Sequence, residues 1–138
     1  MIKKILIAYD GSSFARRAFD VALEMARLHK ASMIVLSVAQ MPEPALIYET
    51  TALLEEAQEH FEKDFVEFRA RAREADVPLE TRVVIGHTSD QIVQQATDER
   101  AEMIVMGHRG KSLIERWLLG SVSKRVISYA HCSVLIVR

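Results

Sequence analysis

A single cysteine among 138 residues excludes an internal disulfide. Cys132 stands among apolar neighbours, so it reads as a buried, inert thiol suited to a reducing compartment. No hydrophobic run approaches the roughly 18 residues of a membrane span. Lys3 and Lys4 precede an apolar stretch, but it breaks at Asp10, too soon for a signal-peptide core, and no small-residue cleavage pattern follows. A cytoplasmic location is therefore expected. Excess charge is also lacking: a net charge of −1 gives no reason to expect nucleic acid or an anionic membrane as a partner. His29, His60, His87, His108 and His131 show no metal-ligand spacing, and most read as surface residues. No serine sits in a G-x-S-x-G elbow.

What is present is an ordinary soluble balance, 49% hydrophobic and 27% charged, in a length suited to one domain over residues 1–138. Residues 5–9 form a continuous apolar run, as expected of a strand buried on both faces. Ser12 or Ser13 is placed to cap a helix starting near Phe14, with Ala15, Ala18, Ala22, Met25 and Ala26 on its buried face. Residues 32–39 read as a second strand. Pro42 and Pro44 mark a loop, and a long helix over about residues 50–75 follows. Its Leu54, Ala57, Phe61, Phe65, Phe68, Ala72 and Ala75 recur at helical spacing, and this stripe reads as core. Residues 79–85 alternate as a third strand. Thr88 or Ser89 is placed to cap a third helix that buries Ile92, Val93 and Ala96. A fourth strand (103–106), a fourth helix (122–130) and a fifth strand (134–137) complete the pattern. Such alternation implies an α/β fold with a mostly parallel sheet, right-handed crossovers and helices on both faces.

Gly107-His108-Arg109-Gly110 follows the fourth strand, and Gly120-Ser121 opens the fourth helix. These are the parts of a phosphate cradle. Glycines let the backbone approach an anion closely or adopt φ > 0, and first-turn N–H groups point at it with a favourable dipole. Ser121 adds a hydroxyl donor. Arg109 and Lys111 offer counter-charge, and His108 would reach a phosphate as a cation. The competing reading is turn geometry for the glycines and a solvated loop for the basic group His108, Arg109, Lys111 and Arg116. Gly110-Lys111-Ser112 is not the end of a P-loop, because that motif needs glycine where Val105 stands.

Gly107, Gly110, Gly120 and Ser121 fit G-x2-G-x9-G-[ST], the pattern carried by the ATP-binding branch of the universal stress protein family, which the whole chain resembles. Ile5-Leu6-Ile7-Ala8-Tyr9-Asp10-Gly11-Ser12 resembles that family's first strand and Asp-Gly-Ser turn. Val84-Ile85-Gly86 with Ile92 and Ala96 resembles its third strand and helix, and Cys132-Ser133-Val134-Leu135-Ile136-Val137 its closing strand. Ser133 stands where proline is usual and Glu102 where aspartate is usual; neither touches the cradle.

The resemblance implies a five-stranded parallel sheet of order 3-2-1-4-5 in a flavodoxin-like or Rossmann-like three-layer sandwich. In such sheets ligands bind beyond the carboxyl ends of the strands where the order reverses, here between strands one and four. It further implies ATP as the ligand. Val38, or Ala39 beside it, would give backbone hydrogen bonds to adenine. Asp10 and Gly107 would lie at the nucleoside, with Met106 also among the cofactor-binding residues. Gly110, Gly120, Ser121, Val122 and Ser123 would hold phosphates, largely through N–H groups. Asp10 is alternatively a turn residue beside Gly11 and Ser12, and Ser121 a simple helix cap. Mg²⁺ is expected to accompany ATP, held mostly by phosphate oxygens and water. The implied role is a nucleotide-dependent regulatory or stress-response protein. No base for an attacking water is identified, so at most slow ATP hydrolysis is expected. One alternative is a family member working by dimerisation or partner binding without nucleotide. Another is an ATP-using nucleotidyl or phosphoryl transferase, which would need an acceptor pocket and a base. The fifth strand is an edge in this order and invites antiparallel pairing into a homodimer, unless the chain covers it.

Overall fold

The computed structural model describes residues 2–41, 47–110 and 119–138. Five strands alternate with four helices: β1 (Lys4–Ala8), α1 (Ser13–His29), β2 (Ser32–Gln40), α2 (Ile47–Glu74), β3 (Leu79–Gly86), α3 (Thr88–Asp98), β4 (Met103–Gly107), α4 (Ser121–Tyr129) and β5 (Ser133–Val137). The sheet order is β3-β2-β1-β4-β5, with every pair parallel. This is the order and strand direction expected. Pro42 and Pro44 lie outside the described residues.

Period-two alternation divides the side chains of each strand between two cores. Ile5 and Ile7 of β1, Val35 of β2 and Val105 of β4 pack on the α1/α2 face. Leu6, Leu36, Ile104 and Met106 pack on the opposite face against Ile92 and Ala96 of α3 and Val126 of α4. Ile5, Leu6 and Ile7 have no exposed surface, which explains why β1 reads as an unbroken apolar run.

On α1 the alanines Ala15, Ala18, Ala22 and Ala26 are buried, while Met25 is half-buried. Phe19, outside the expected set, is also buried, and its ring stacks on Phe68 of α2 at 4.0 Å between centroids. Phe61, Phe65, Phe68 and Ala72 form the buried stripe of α2. Each ring buried in this way contributes roughly 1.5–3 kcal/mol by the apolar area it removes from water. Ser12 caps α1: its hydroxyl accepts the Ala15 N–H at 3.1 Å.

Three local expectations are corrected. His87 is the N-cap of α3 and makes no side-chain cap bond, so Thr88 and Ser89 are its first helical residues. Val93 is half-buried, because it lies off the face carrying Ile92 and Ala96. Cys132 is half-buried, and partial burial pushes its thiol up from the usual range. Among the described residues no helix is long and apolar enough to cross a membrane.

Candidate functional site

The chain leaves β1 toward β2 on one side and leaves β4 toward β5 on the other. The carboxyl ends of β1 and β4 therefore splay open, and a cleft of about 750 Å³ lies there. That is a size suited to a small-molecule ligand. Asp10, Val38, Met106, Gly107, Gly110, Gly120, Ser121, Val122 and Ser123 all line it.

Asp10 follows β1 directly. Its Oδ1 accepts the Ser12 N–H at 2.9 Å across Gly11, which sits at φ 85°, a conformation that favours glycine. The turn reading of Asp10 is thus correct for one oxygen. The other oxygen faces Gly110, where a Cβ would come within 2.7 Å of Oδ2. Gly107 serves packing: a Cβ there would meet Phe14 Cβ at 2.6 Å and the Phe14 carbonyl carbon at 2.9 Å. So α1 rests directly on the end of β4.

The loop between β4 and α4 is pinned at both ends. The His108 N–H donates to the Val137 carbonyl at 2.7 Å, and the Gly120 N–H donates to the His108 carbonyl at 3.0 Å. The Gly120 amide is consequently engaged within the protein, contrary to its expected place among the phosphate donors. Neither Gly110 nor Gly120 has positive φ, so what these sites require of glycine is space and not a left-handed backbone. Gly120 is the N-cap of α4, has no side chain to cap with, and its carbonyl accepts the Lys124 N–H at 3.0 Å. The N–H groups of Ser121, Val122 and Ser123, at the first three helical positions, have no intrahelical partner. All three residues line the cleft. The reading of Ser121 as the cap is corrected, since it lies one position inside the helix. The Ser123 hydroxyl is buried and donates to the Gly107 carbonyl at 3.1 Å, tying α4 to the end of β4.

Among the described residues, two basic residues line the cleft, Arg109 and Lys124. Arg109 is buried, so it is not part of a solvated loop. Lys111 and Arg116 lie outside the described residues. His108 departs from expectation twice. It is buried and does not line the cleft, and burial, with Arg138 and Arg109 nearby, holds its imidazole below the usual range. That shift disfavours the imidazolium, the form a phosphate would need.

At the end of β2 the structure separates Val38 from Ala39. The Tyr9 N–H donates to the Leu36 carbonyl at 2.8 Å, so the backbone of Leu36 faces β1. Two residues on, the N–H and C=O of Val38 point to the same side, beyond the last β1 pairing, Ala8 with Leu36. The backbone of Ala39 points instead toward β3, and Ala39 does not line the cleft. It drops out of the site.

Tyr9, Gln40, Phe61, Thr88 and Lys124 line the cleft without having been singled out as site residues. Gln40 shares a strand face with Val38, and Lys124 lies three residues after Ser121 on one helix face. Both were reachable by periodicity. Phe61 is both core and cleft wall, which its place in the helical stripe conceals. Among the described residues no group of three or more His, Cys, Asp or Glu side chains is placed to hold a metal ion.

An open parallel sheet of this order, with a crevice at its switch point beside a helix N-terminus that has no side-chain cap, defines a doubly wound α/β fold. More narrowly, the chain belongs to the universal stress protein family, whose model matches residues 1–138. It is similar to a universal stress protein of Thermus aquaticus, 38% identical with all of both chains covered. Among solved structures it is similar to the hypothetical protein MJ0577, with a TM-score of 0.89 and 28% identity over 99% of this chain and 96% of that one. It is also similar to a universal stress protein solved in complex with cAMP, with a TM-score of 0.77 and 27% identity over 99% and 97%.

Proposed function

We propose that the chain binds ATP with Mg²⁺ in this cleft, as a member of the family's ATP-binding branch, and acts as a nucleotide-dependent regulatory or stress-response protein. The observation that carries this reading is the start of α4. Three N–H groups without a partner among the described residues, on residues that line the cleft along with Asp10, offer an anion site. The Val38 backbone edge offers a donor and an acceptor, the pair that the N1 and N6 positions of adenine require. Asp10 suits the ribose hydroxyls, and Ser121, Val122 and Ser123 the phosphates, with Arg109 and Lys124 as counter-charge. The relative bound to cAMP supports an adenine nucleotide as the ligand class. Mg²⁺ fits as an ion held by phosphate oxygens and water, where it neutralises phosphate charge.

Among the described residues Asp10 is the only carboxylate lining the cleft, and its Oδ1 is committed to Ser12. Turnover well below the ~10 s⁻¹ typical of enzymes is therefore expected. The protein acts in the cytoplasm as a homodimer joined through β5, whose residues 134–137 are only half-buried although β4 beside them is almost wholly buried. The test is to denature freshly purified protein and identify released nucleotide by mass spectrometry, with calorimetry of ATP and Mg²⁺ on the emptied protein. Absence of both a bound adenine nucleotide and a binding heat would refute the assignment.

A further inference from the structure

Tyr9 and Ser37 stand opposite each other where β1 leaves the sheet. In a parallel ladder the bond from the Tyr9 N–H to the Leu36 carbonyl is followed by one from the Val38 N–H to the Tyr9 carbonyl. The first of these is present at 2.8 Å, and the second is not formed. The Tyr9 carbonyl instead accepts the hydroxyl of Ser37 at 2.7 Å. Ser37 has no exposed surface, so this bond is shielded from water and its loss would leave a buried carbonyl unpaired.

From this substitution of partners we infer that Ser37 is a positioning residue. Its hydroxyl ends the β1–β2 ladder one bond early, and the Val38 amide is thereby released to the cleft. The inference rests on the nucleotide reading and deepens it, because the released N–H is the donor assigned to the base. Ser37 itself does not line the cleft and acts only through its neighbour. A polar residue in the middle of an apolar strand, Met33-Ile34-Val35-Leu36-Ser37-Val38, thus has a specific reason to be there. The remaining fixtures of Tyr9 agree. Its phenol donates to Asp64 Oδ2 at 2.6 Å, and Arg16 holds the other oxygen of Asp64 at 2.8 Å. These bonds hold the Tyr9 side chain while its carbonyl stays on the Ser37 hydroxyl.

The experiment compares full-length wild type, Ser37→Ala and Ser37→Thr by residue-resolved hydrogen exchange. It adds calorimetry with MgATP and with inorganic tripolyphosphate, a probe that has phosphates and no base. In wild type without nucleotide the Val38 amide should exchange at least tenfold faster than that of Leu36. ATP should slow it at least tenfold, and tripolyphosphate should not. In Ser37→Ala the Tyr9 carbonyl recruits the Val38 N–H, so that amide should be slow even without ligand. ATP affinity should fall about tenfold while tripolyphosphate affinity is unchanged. Ser37→Thr restores the hydroxyl and should return both quantities toward wild type, which separates the bond from general damage to folding. Two results overturn the inference alone: a Val38 amide already protected in nucleotide-free wild type, or unchanged ATP affinity in folded Ser37→Ala. Wild type that exposes the Val38 amide yet binds no ATP overturns the nucleotide reading, and the role of Ser37 with it.

Discussion

Gly110 and Gly120 occupy equivalent-looking places in the glycine pattern, and the structure predicts that they respond differently to the same methyl group. At Gly110 an added Cβ lies 2.7 Å from Asp10 Oδ2. The carboxylate has little freedom to yield, because its other oxygen holds the Ser12 N–H at 2.9 Å. It must rotate away from Gly110, and the hydrogen bond it would accept from the nucleoside goes with it. Bonds to a charged group contribute about 1.5–3 kcal/mol, so Gly110→Ala should weaken ATP binding roughly 10- to 150-fold. At Gly120 the nearest atoms to an added Cβ, Arg109 Cα and the His108 carbonyl oxygen, lie at 3.5 Å, which is ordinary contact. Its φ of −62° and ψ of 154° suit any residue. Gly120→Ala should therefore change ATP affinity by less than about threefold. It should also lower stability by roughly 0.5–1 kcal/mol, because alanine is a poor N-cap. Calorimetry at fixed Mg²⁺, with thermal melts to show that both variants fold, measures the difference. Equal losses in the two variants, or full affinity in Gly110→Ala, would refute the reasoning.

Gly107→Ala should lower stability by about 1–3 kcal/mol in urea denaturation without nucleotide, because α1 must move off the end of β4; an unchanged midpoint would show that the close approach to Phe14 is not tight. The Tyr9 phenol is held well above its ordinary pKa by burial and then by the hydrogen bond to Asp64. The folded state thus keeps this proton longer than the unfolded chain, and the stability it contributes is intact below about pH 10 and is lost as pH rises beyond that. Urea midpoints at pH 8 and pH 11 should fall more in wild type than in Tyr9→Phe; parallel falls would contradict the assignment. Leu135→Pro removes a backbone donor from the middle of β5 and should shift a wild-type dimer to monomer in sedimentation at tens of micromolar. Wild type that sediments as a monomer there would eliminate this interface.

The fold was legible because its signals are local and agree with one another. Apolar runs of strand length alternate with helical stripes, and this pattern fixes the element order, while the strand order came from resemblance. The site was legible where a backbone requirement leaves a residue signature, as at Gly107, Gly110 and Asp10. It was not legible where the outcome depends on which partner claims a group. Nothing in the sequence indicates that the Gly120 amide is taken by the His108 carbonyl, or that Val38 and not Ala39 turns its backbone to the cleft. Both follow from registers fixed only when the strands pair. Burial of His108 was missed for the same reason. It sits in a glycine-bearing turn that reads as exposed, yet its N–H pairs with the Val137 carbonyl at the end of β5 and the residue is buried.

The caps of the helices decide where an anion belongs. At α1 the first-turn amides are not all available: Ser12 accepts the Ala15 N–H, and Asp10 accepts that of Ser12 and brings a negative charge. At α3 the N-cap His87 makes no cap bond, and Thr88 borders the cleft, but Asp90 stands in the first turn and opposes a second negative charge there. At α4 there is neither a capping side chain nor an acidic residue in the first turn, and Lys124 adds a cation to the same wall. A serine, threonine, asparagine or aspartate at position 120 would have satisfied one of these amides from within. With Gly120 there, the helix dipole and the N–H groups that lack an intrahelical partner act together on whatever occupies the cleft. Phosphates placed at α4 meet three donors and no opposing charge in that first turn, whereas at α3 they would lie beside Asp90. The orientation proposed for the nucleotide, with its base at Val38 and its phosphates at Ser121, is the one this asymmetry favours.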